Sequence, residues 1–202
     1  MAELTRRRAT SPWREGWGRT IGIGVVAGIV ASAIMGVFAM IAAATYQDIG
    51  FFTPLHHIAT PLVGDDAMMA SMEAAARGEL FELDVGPALV GLGVHMMVGA
   101  VWGLLFFGLA RAIGLRGAAV LVPAGIAFGL LVMLFMSWVT LPITAEVVGG
   151  GEAVEDIPSM VGWGTFTVEH VLFGFVLGTW AAARRSAMAR HAADREEPRL
   201  AA

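Results

Sequence analysis

Four long apolar segments constrain this chain more than any other feature of its sequence. They cover residues 20–45, 87–110, 118–140 and 159–183. About 20 helical residues cross a hydrocarbon layer of about 30 Å, so each segment is long enough to span a membrane. Backbone groups in lipid must be hydrogen-bonded within the segment, which favours helices. The sequence therefore predicts an all-α integral membrane four-helix bundle, with the lipid bilayer as its partner.

Arginine is distributed unevenly between the segments that connect these spans. The chain has 13 basic residues, none of them lysine, and only Arg77 lies in the predicted outer loops, 46–86 and 141–158. The others lie in the tails, 1–19 and 184–202, and in the turn at 111–117. By the positive-inside rule, both tails are cytoplasmic in a multi-pass protein of the bacterial inner membrane. The net charge of −4 comes mostly from the outer loops, and no nucleic-acid partner is expected.

The first span also has features of a signal peptide, with basic residues before it and small residues at 42–44. Its apolar stretch covers about 26 residues, whereas the apolar region of a signal peptide has about 7–15. We therefore predict a span that is not cleaved. The chain has no cysteine, which excludes disulfides, thiolate nucleophiles and cysteine-ligated metals.

The order of spans and loops describes two helical hairpins of the same topology, as in a parallel internal repeat. The tripeptide Ala-Gly-Ile occurs in the first span at 27–29 and in the third at 124–126. A proline follows each of these spans, Pro54 and Pro142. The second and fourth spans share the pattern His-x3-Gly-x3-Gly, formed by His95, Gly99, Gly103 and by His170, Gly174, Gly178.

Small residues recur at a spacing of four in every span. Helix association in lipid depends on close backbone approach, so these residues are predicted helix-packing positions. They are Gly24, Gly28, Ser32, Gly36, Gly99, Gly103, Gly125, Gly129, Gly174 and Gly178. The row on the first span is also expected to serve assembly with a membrane-protein partner or a second copy of the chain.

The first outer loop is too apolar for a solvated linker. Within it, "AMMASMEAAAR" is predicted to form a short helix that Asp65 or Asp66 caps and Gly78 ends, as a lid over the bundle. The C-terminal tail from Arg184 is predicted to fray.

Three titratable residues lie within the predicted spans: Glu169, His170 and His95. The two histidines lie at similar depths, about eleven and about nine residues from the outer ends of their helices. Ionisable groups inside a membrane are costly and indicate a functional site. In the simplest interpretation the histidines are neutral and bond neighbouring helices, and the protein is a non-enzymatic accessory or scaffold-like subunit.

Three other interpretations stay open. His95 and His170 are hypothetical axial ligands of a b-type haem, with glycines leaving room for the ring. Glu169 and His170 are candidates for a proton or ion relay in a small transporter. Histidine and the methionines near it, among them Met96 and Met97, suit Cu(I), although methionine is also a common core residue. No sequence pattern nominates a catalytic residue, so enzyme chemistry is not favoured.

The chain resembles a broad group of bacterial four-span inner-membrane proteins of the YagU type. The shared features are a basic tail, "AGIVASAIMG" in the first span, "AGIAFGLLV" in the third and "EHVLFGFVLG" in the last. The resemblance covers residues 20–180 loosely. It implies the four-span architecture and carries no settled biochemical activity.

Overall fold

The computed structural model describes residues 16–200, and the side chains of residues 16–187. Over this range the chain forms helices joined by turns, with no strand. Four helical segments are long and apolar enough to cross a membrane: Trp17–Thr45, Val85–Ala112, Ala118–Val147 and Trp163–Ala187. The predicted all-α bundle is confirmed. The basic tail before residue 16, with its four arginines, lies outside the described residues.

Ten helical elements follow one another over residues 16–200. The spans contain α1 (Trp17–Thr45), α4 (Val85–Ala112), α5 (Ala118–Phe135) and α9 (Trp163–Leu200). The first outer connection contains α2 (Thr53–Val63) and α3 (Asp66–Ala76). The third span continues from α5 through a π-helical turn (Met136–Thr140) into α6 (Leu141–Val147). The second outer connection contains α7 (Gly151–Glu155) and α8 (Ile157–Val161).

The third and fourth spans differ from the predicted bounds. The third continues past residue 140 because the π turn shifts the hydrogen-bond register just before Pro142, which has no N–H to contribute. The fourth begins at Trp163 because Gly162, at φ +83°, ends α8. Its helix continues to Leu200, where a fraying tail was predicted from Arg184, since alanine, arginine and glutamate favour helix.

Each hairpin is held together by direct backbone contact at glycine. In the first hairpin α1 packs on α4, and a Cβ added to Gly28 would overlap the carbonyl of Gly99. In the second, α5 packs on α9, and a Cβ added to Gly125 would overlap the carbonyl of Gly174. Gly28 and Gly125 are the central residues of the two Ala-Gly-Ile tripeptides, so the two hairpins share one packing register.

The glycine row on α1 is used inside the chain. Gly24, Gly28 and Ser32 are buried against α4, and Gly36 faces the ring of His95. The expectation that this row offers an exposed surface to another chain is therefore wrong. The reason is geometric, because the row complements Gly99 and Gly103 of the same hairpin.

The two hairpins meet mainly through α1 and α9, while α4 and α5 touch through aromatic rings. The buried apolar core lies toward the end of the bundle that bears Arg111 and Arg116, and includes Phe106, Phe173 and Leu177. At the opposite end α2, α7 and α8 cover the bundle. The helix predicted within the first outer loop is α3, with Asp65 at its N-cap position, although that side chain makes no capping hydrogen bond.

Candidate functional site

A cavity of about 150 Å³ lies between the four spans, on the side of the core away from the arginines. Residues of all four spans line it, and residues of α2 and α8 line its outer end. Its polar lining residues include Ser32, Gln47, His57, His95, Glu169 and His170. The structure thus brings all three titratable residues of the predicted spans to one place.

Glu169 is the most unusual side chain of this cavity. It is 5% exposed, and its Oε1 atom has no hydrogen-bond partner in the described part of the chain. A buried polar atom without a partner carries a cost of about 1–3 kcal/mol, and more when it is charged. Packing does not compensate this cost, so the carboxyl group is the first candidate for a ligand-binding group.

His170 lies beside Glu169 on α9 and lines the same cavity. Its Nδ1 donates a hydrogen bond of 2.8 Å to the carbonyl oxygen of Phe166, and the two rings are 4.4 Å apart between centroids. Because Nδ1 carries the proton, Nε2 remains an acceptor. Successive residues of a helix point about 100° apart, and the cavity is wide enough to include both side chains.

His95 also lines the cavity, but its ring is part of the contact between α1 and α4. Its Nε2 lies 3.0 Å from the carbonyl oxygen of Ser32. A carbonyl only accepts, so Nε2 is the protonated nitrogen. His95 therefore connects two helices of the first hairpin, as the structural interpretation of the sequence expected.

His57 of α2 is a fourth cavity residue, although the sequence placed it in the first outer loop and not in a span. Its Nε2 donates to the carbonyl oxygen of Ala153 in α7, at 2.5 Å. Burial lowers the pKa of His57, while this hydrogen bond acts in the opposite direction. The apolar character of the loop around it was the available signal that α2 packs onto the bundle.

The arrangement does not fit a haem between His95 and His170. Nε2 of His95, a nitrogen that ligates metals, is engaged with Ser32. The cavity of about 150 Å³ is also smaller than the roughly 300–1,000 Å³ of drug-sized ligand sites, and a macrocycle with its substituents needs more room than this. The space beside the glycines, which was expected to hold the ring, is occupied by atoms of the facing helix.

A preformed metal centre is not found either. Among the described residues, no group of three or more histidine and acidic side chains is placed to hold an ion. Met35 and Met136 line the cavity, but Met97, two residues after His95, is 62% exposed on the outer surface of the bundle. Of the two methionines that follow His95, Met97 is therefore not a ligand candidate for copper in the cavity.

The π-helical turn places Met136 at the cavity wall. Such turns interrupt the α-helical ladder and occur frequently at functional sites. Here the interruption lies in the third span, next to the cavity and between the core and the outer helices. At this turn the third span is no longer a regular α-helix.

The chain matches no protein-family model, no curated protein and no solved structure. The cavity is therefore the basis for proposing a function.

Proposed function

We propose that the protein is a non-enzymatic membrane transport protein that binds a small organic cation in the cavity between its two hairpins. The observation that carries the proposal is the buried carboxyl group of Glu169, which lines the cavity with one oxygen unpaired. A charge in this environment is either neutralised or paired. A cationic solute supplies the missing partner.

The walls of the cavity favour a cation that carries apolar surface. Trp102, Phe166 and Phe173 contribute aromatic rings, and Met35 and Val98 contribute aliphatic surface. Aromatic faces attract organic ammonium groups. A cavity of about 150 Å³ in a protein core accommodates a molecule of roughly the size of benzene. Small protonated amines and quaternary ammonium ions meet both conditions.

A single carboxyl group also couples cation binding to proton release. Glu169 is neutral with a bound proton, and the site is neutral again when the carboxylate pairs with a cation. An empty, ionised site is the costly state in a membrane. Proton and cation therefore exclude one another, and binding of one cation releases one proton.

The architecture supports transport over static binding. Transporters built from repeats bind their substrates at the interface of the repeats, near interruptions in their helices. Here the cavity lies between two hairpins of one packing register, beside the π turn of the third span. The core around Phe106 and Leu177 separates the cavity from the arginine-bearing side, so passage requires the hairpins to move relative to each other.

The accessory role expected from the sequence stays a prediction. It was inferred from histidines that bond neighbouring helices, and the glycine row of α1 that was expected to serve assembly is covered by α4. The earlier idea of a relay through Glu169 and His170 is retained within the transport proposal. In it Glu169 holds the exchanged proton, and Nε2 of His170 is an acceptor in the same cavity.

The test is calorimetric titration of the purified protein with tetramethylammonium and methylammonium, in two buffers of different ionisation enthalpy. We expect saturable binding of at least one probe, with release of about one proton per cation, and loss of binding in Glu169→Gln. Glu152→Gln, a change at an exposed acidic residue of α7, is the matched control and should bind as the wild type does.

Uptake of the bound probe into proteoliposomes against an imposed proton gradient separates transport from binding. Binding that is unchanged in Glu169→Gln would refute the assignment of the site. Binding without uptake would refute transport.

A further inference from the structure

A second concave surface lies outside the bundle, between α1 and α9, where both helices face lipid. It has two parts, one of about 600 Å³ nearer the arginines and one of about 380 Å³ deeper in the membrane. Trp180 and Arg184 line both parts, so they form one continuous groove. None of the residues that line it belongs to the Glu169 cavity.

We propose that this groove is a specific binding site for an anionic phospholipid, with the phosphate at Arg19 and Arg184 and an acyl chain along the deeper part. The site is independent of the cation proposal, because Glu169 lines the cavity inside the bundle and not this groove.

The lining changes from basic to apolar along the groove. A phospholipid changes in the corresponding way, from a charged headgroup to an apolar acyl chain. Arg19 lies in the first turn of α1, and Arg184 lies near the end of the fourth span, so both are at the same end of the bundle. The deeper part is lined by Val30, Ile34 and Phe175, with Thr179 as a polar lining residue nearer Arg184. Ile34 and Phe175 are exposed on the outer surface.

The length of the groove suits one leaflet. Ile34 lies 15 residues after Arg19, which at about 1.5 Å per helical residue is roughly 22 Å. Half of a hydrocarbon core is about 15 Å, so the groove passes from the headgroup region through one full leaflet. Gly22 keeps its wide part open, since a Cβ there would meet nothing within 4 Å.

The charge favours an anionic lipid over a zwitterionic one. Among the described side chains, residues 16–187, the lining includes two arginines and no acidic residue. Guanidinium groups pair with phosphate through geometrically matched hydrogen bonds. A zwitterionic headgroup would bring its own ammonium group to the same place. Basic pockets between membrane helices are a recognised form of anionic-lipid site.

Trp180 provides the readout. The protein is reconstituted in vesicles that contain either brominated phosphatidylglycerol in phosphatidylcholine or brominated phosphatidylcholine in phosphatidylglycerol, at equal mole fractions. Bromine quenches tryptophan fluorescence at contact, and the part of the quenching that is lost in Trp180→Phe reports the groove. We expect this part to be larger with brominated phosphatidylglycerol.

The arginines are tested in the same vesicles. Replacing Arg19 and Arg184 by glutamine should reduce the preference for phosphatidylglycerol by roughly fivefold for each arginine. Arg116→Gln, at an exposed arginine in the turn between α4 and α5, should leave the preference unchanged.

Three results would overturn the proposal. One is equal quenching at Trp180 by both brominated lipids. Another is a loss of preference in Arg116→Gln as large as that in the double variant. The third is absence of quenching at Trp180 by either lipid, with chemical crosslinking between α9 of two chains, because the groove would then be an interface between copies.

Discussion

Nε2 of His95 lies 3.0 Å from the carbonyl oxygen of Ser32, so a side chain of α4 is bonded to the backbone of α1. The residue at the same position of the repeat, His170, makes its bond to Phe166 within its own helix. At the position of Ser32 the second hairpin has Gly129, which contacts the carbonyl of His170 directly. Both histidines line the cavity, but His95 connects two helices, whereas His170 bonds within its own helix.

This difference predicts unequal effects of removing the two rings. His95→Ala should lower the free energy of unfolding by the loss of an interhelical hydrogen bond, about 0.6 kcal/mol in membranes, in addition to lost ring contacts with Gly36. His170→Ala should affect stability less and cation binding more. Unfolding in mixed micelles and calorimetric binding measure the two quantities. Equal stability losses with unchanged binding in both variants would contradict the assignment.

The glycine contacts predict a steric penalty within each hairpin. In Gly99→Ala the new methyl group would meet the side chain of Ser32 and the carbonyl oxygen of Gly28, the latter at 2.9 Å. Overpacking of this kind costs about 1–3 kcal/mol. Gly174→Ala should behave similarly against Gly125. Thermal unfolding in detergent measures the effect.

Gly93→Ala is the control for these variants. Gly93 is on the same helix as Gly99, but it is exposed, and a Cβ there meets nothing within 4 Å. The melting temperature of Gly93→Ala should stay close to that of the wild type. A drop as large as that of Gly99→Ala would show that the loss does not come from the contact between α1 and α4.

The orientation expected from the arginine distribution can be tested by cysteine labelling, because the chain has no cysteine of its own. Glu79→Cys introduces a thiol in the acidic loop, and Ala118→Cys introduces one at the exposed start of α5. With both termini cytoplasmic, a membrane-impermeant maleimide should label only Glu79→Cys in intact bacteria and both variants after lysis. Labelling of Ala118→Cys alone in intact cells would reverse the orientation.

The burial of His57 at its contact with Ala153 predicts that α2 leaves α7 more readily in acid. Burial lowers the pKa of His57 below its ordinary value of 6.5. Above pH 6.5 the ring is neutral whether α2 is docked or not, so docking is fully stable. As the pH falls below 6.5, only the undocked form binds the proton readily, and docking loses up to tenfold in its equilibrium constant per pH unit.

Spin labels at Leu62→Cys and Glu155→Cys, both exposed positions, report the distance between α2 and α7. We expect a longer-distance population to grow between pH 7 and pH 5. In His57→Gln, which retains a donor, this growth should be absent. The same growth in His57→Gln would assign the response to another group.

The spans were predictable because the necessary information is local. Length and apolar content decide whether a segment crosses a membrane, and the repeat of Gly28 and Gly125 was visible in the Ala-Gly-Ile tripeptides. The role of α2 was not predictable in the same way. The sequence showed only that this segment is too apolar for a solvated linker, whereas in the structure His56 and His57 are buried and bonded to Asp84 and Ala153.

The sequence by itself determined that the chain has four helices long and apolar enough to cross a membrane, and that Glu169 lies within one of them. Only the tertiary structure decided that Glu169, His170, His95 and His57 line one cavity. The direction of a side chain in a bundle depends on the rotation of each helix about its axis. That rotation is set by backbone contacts between residues far apart in sequence, such as Gly28 with Gly99 and Gly125 with Gly174.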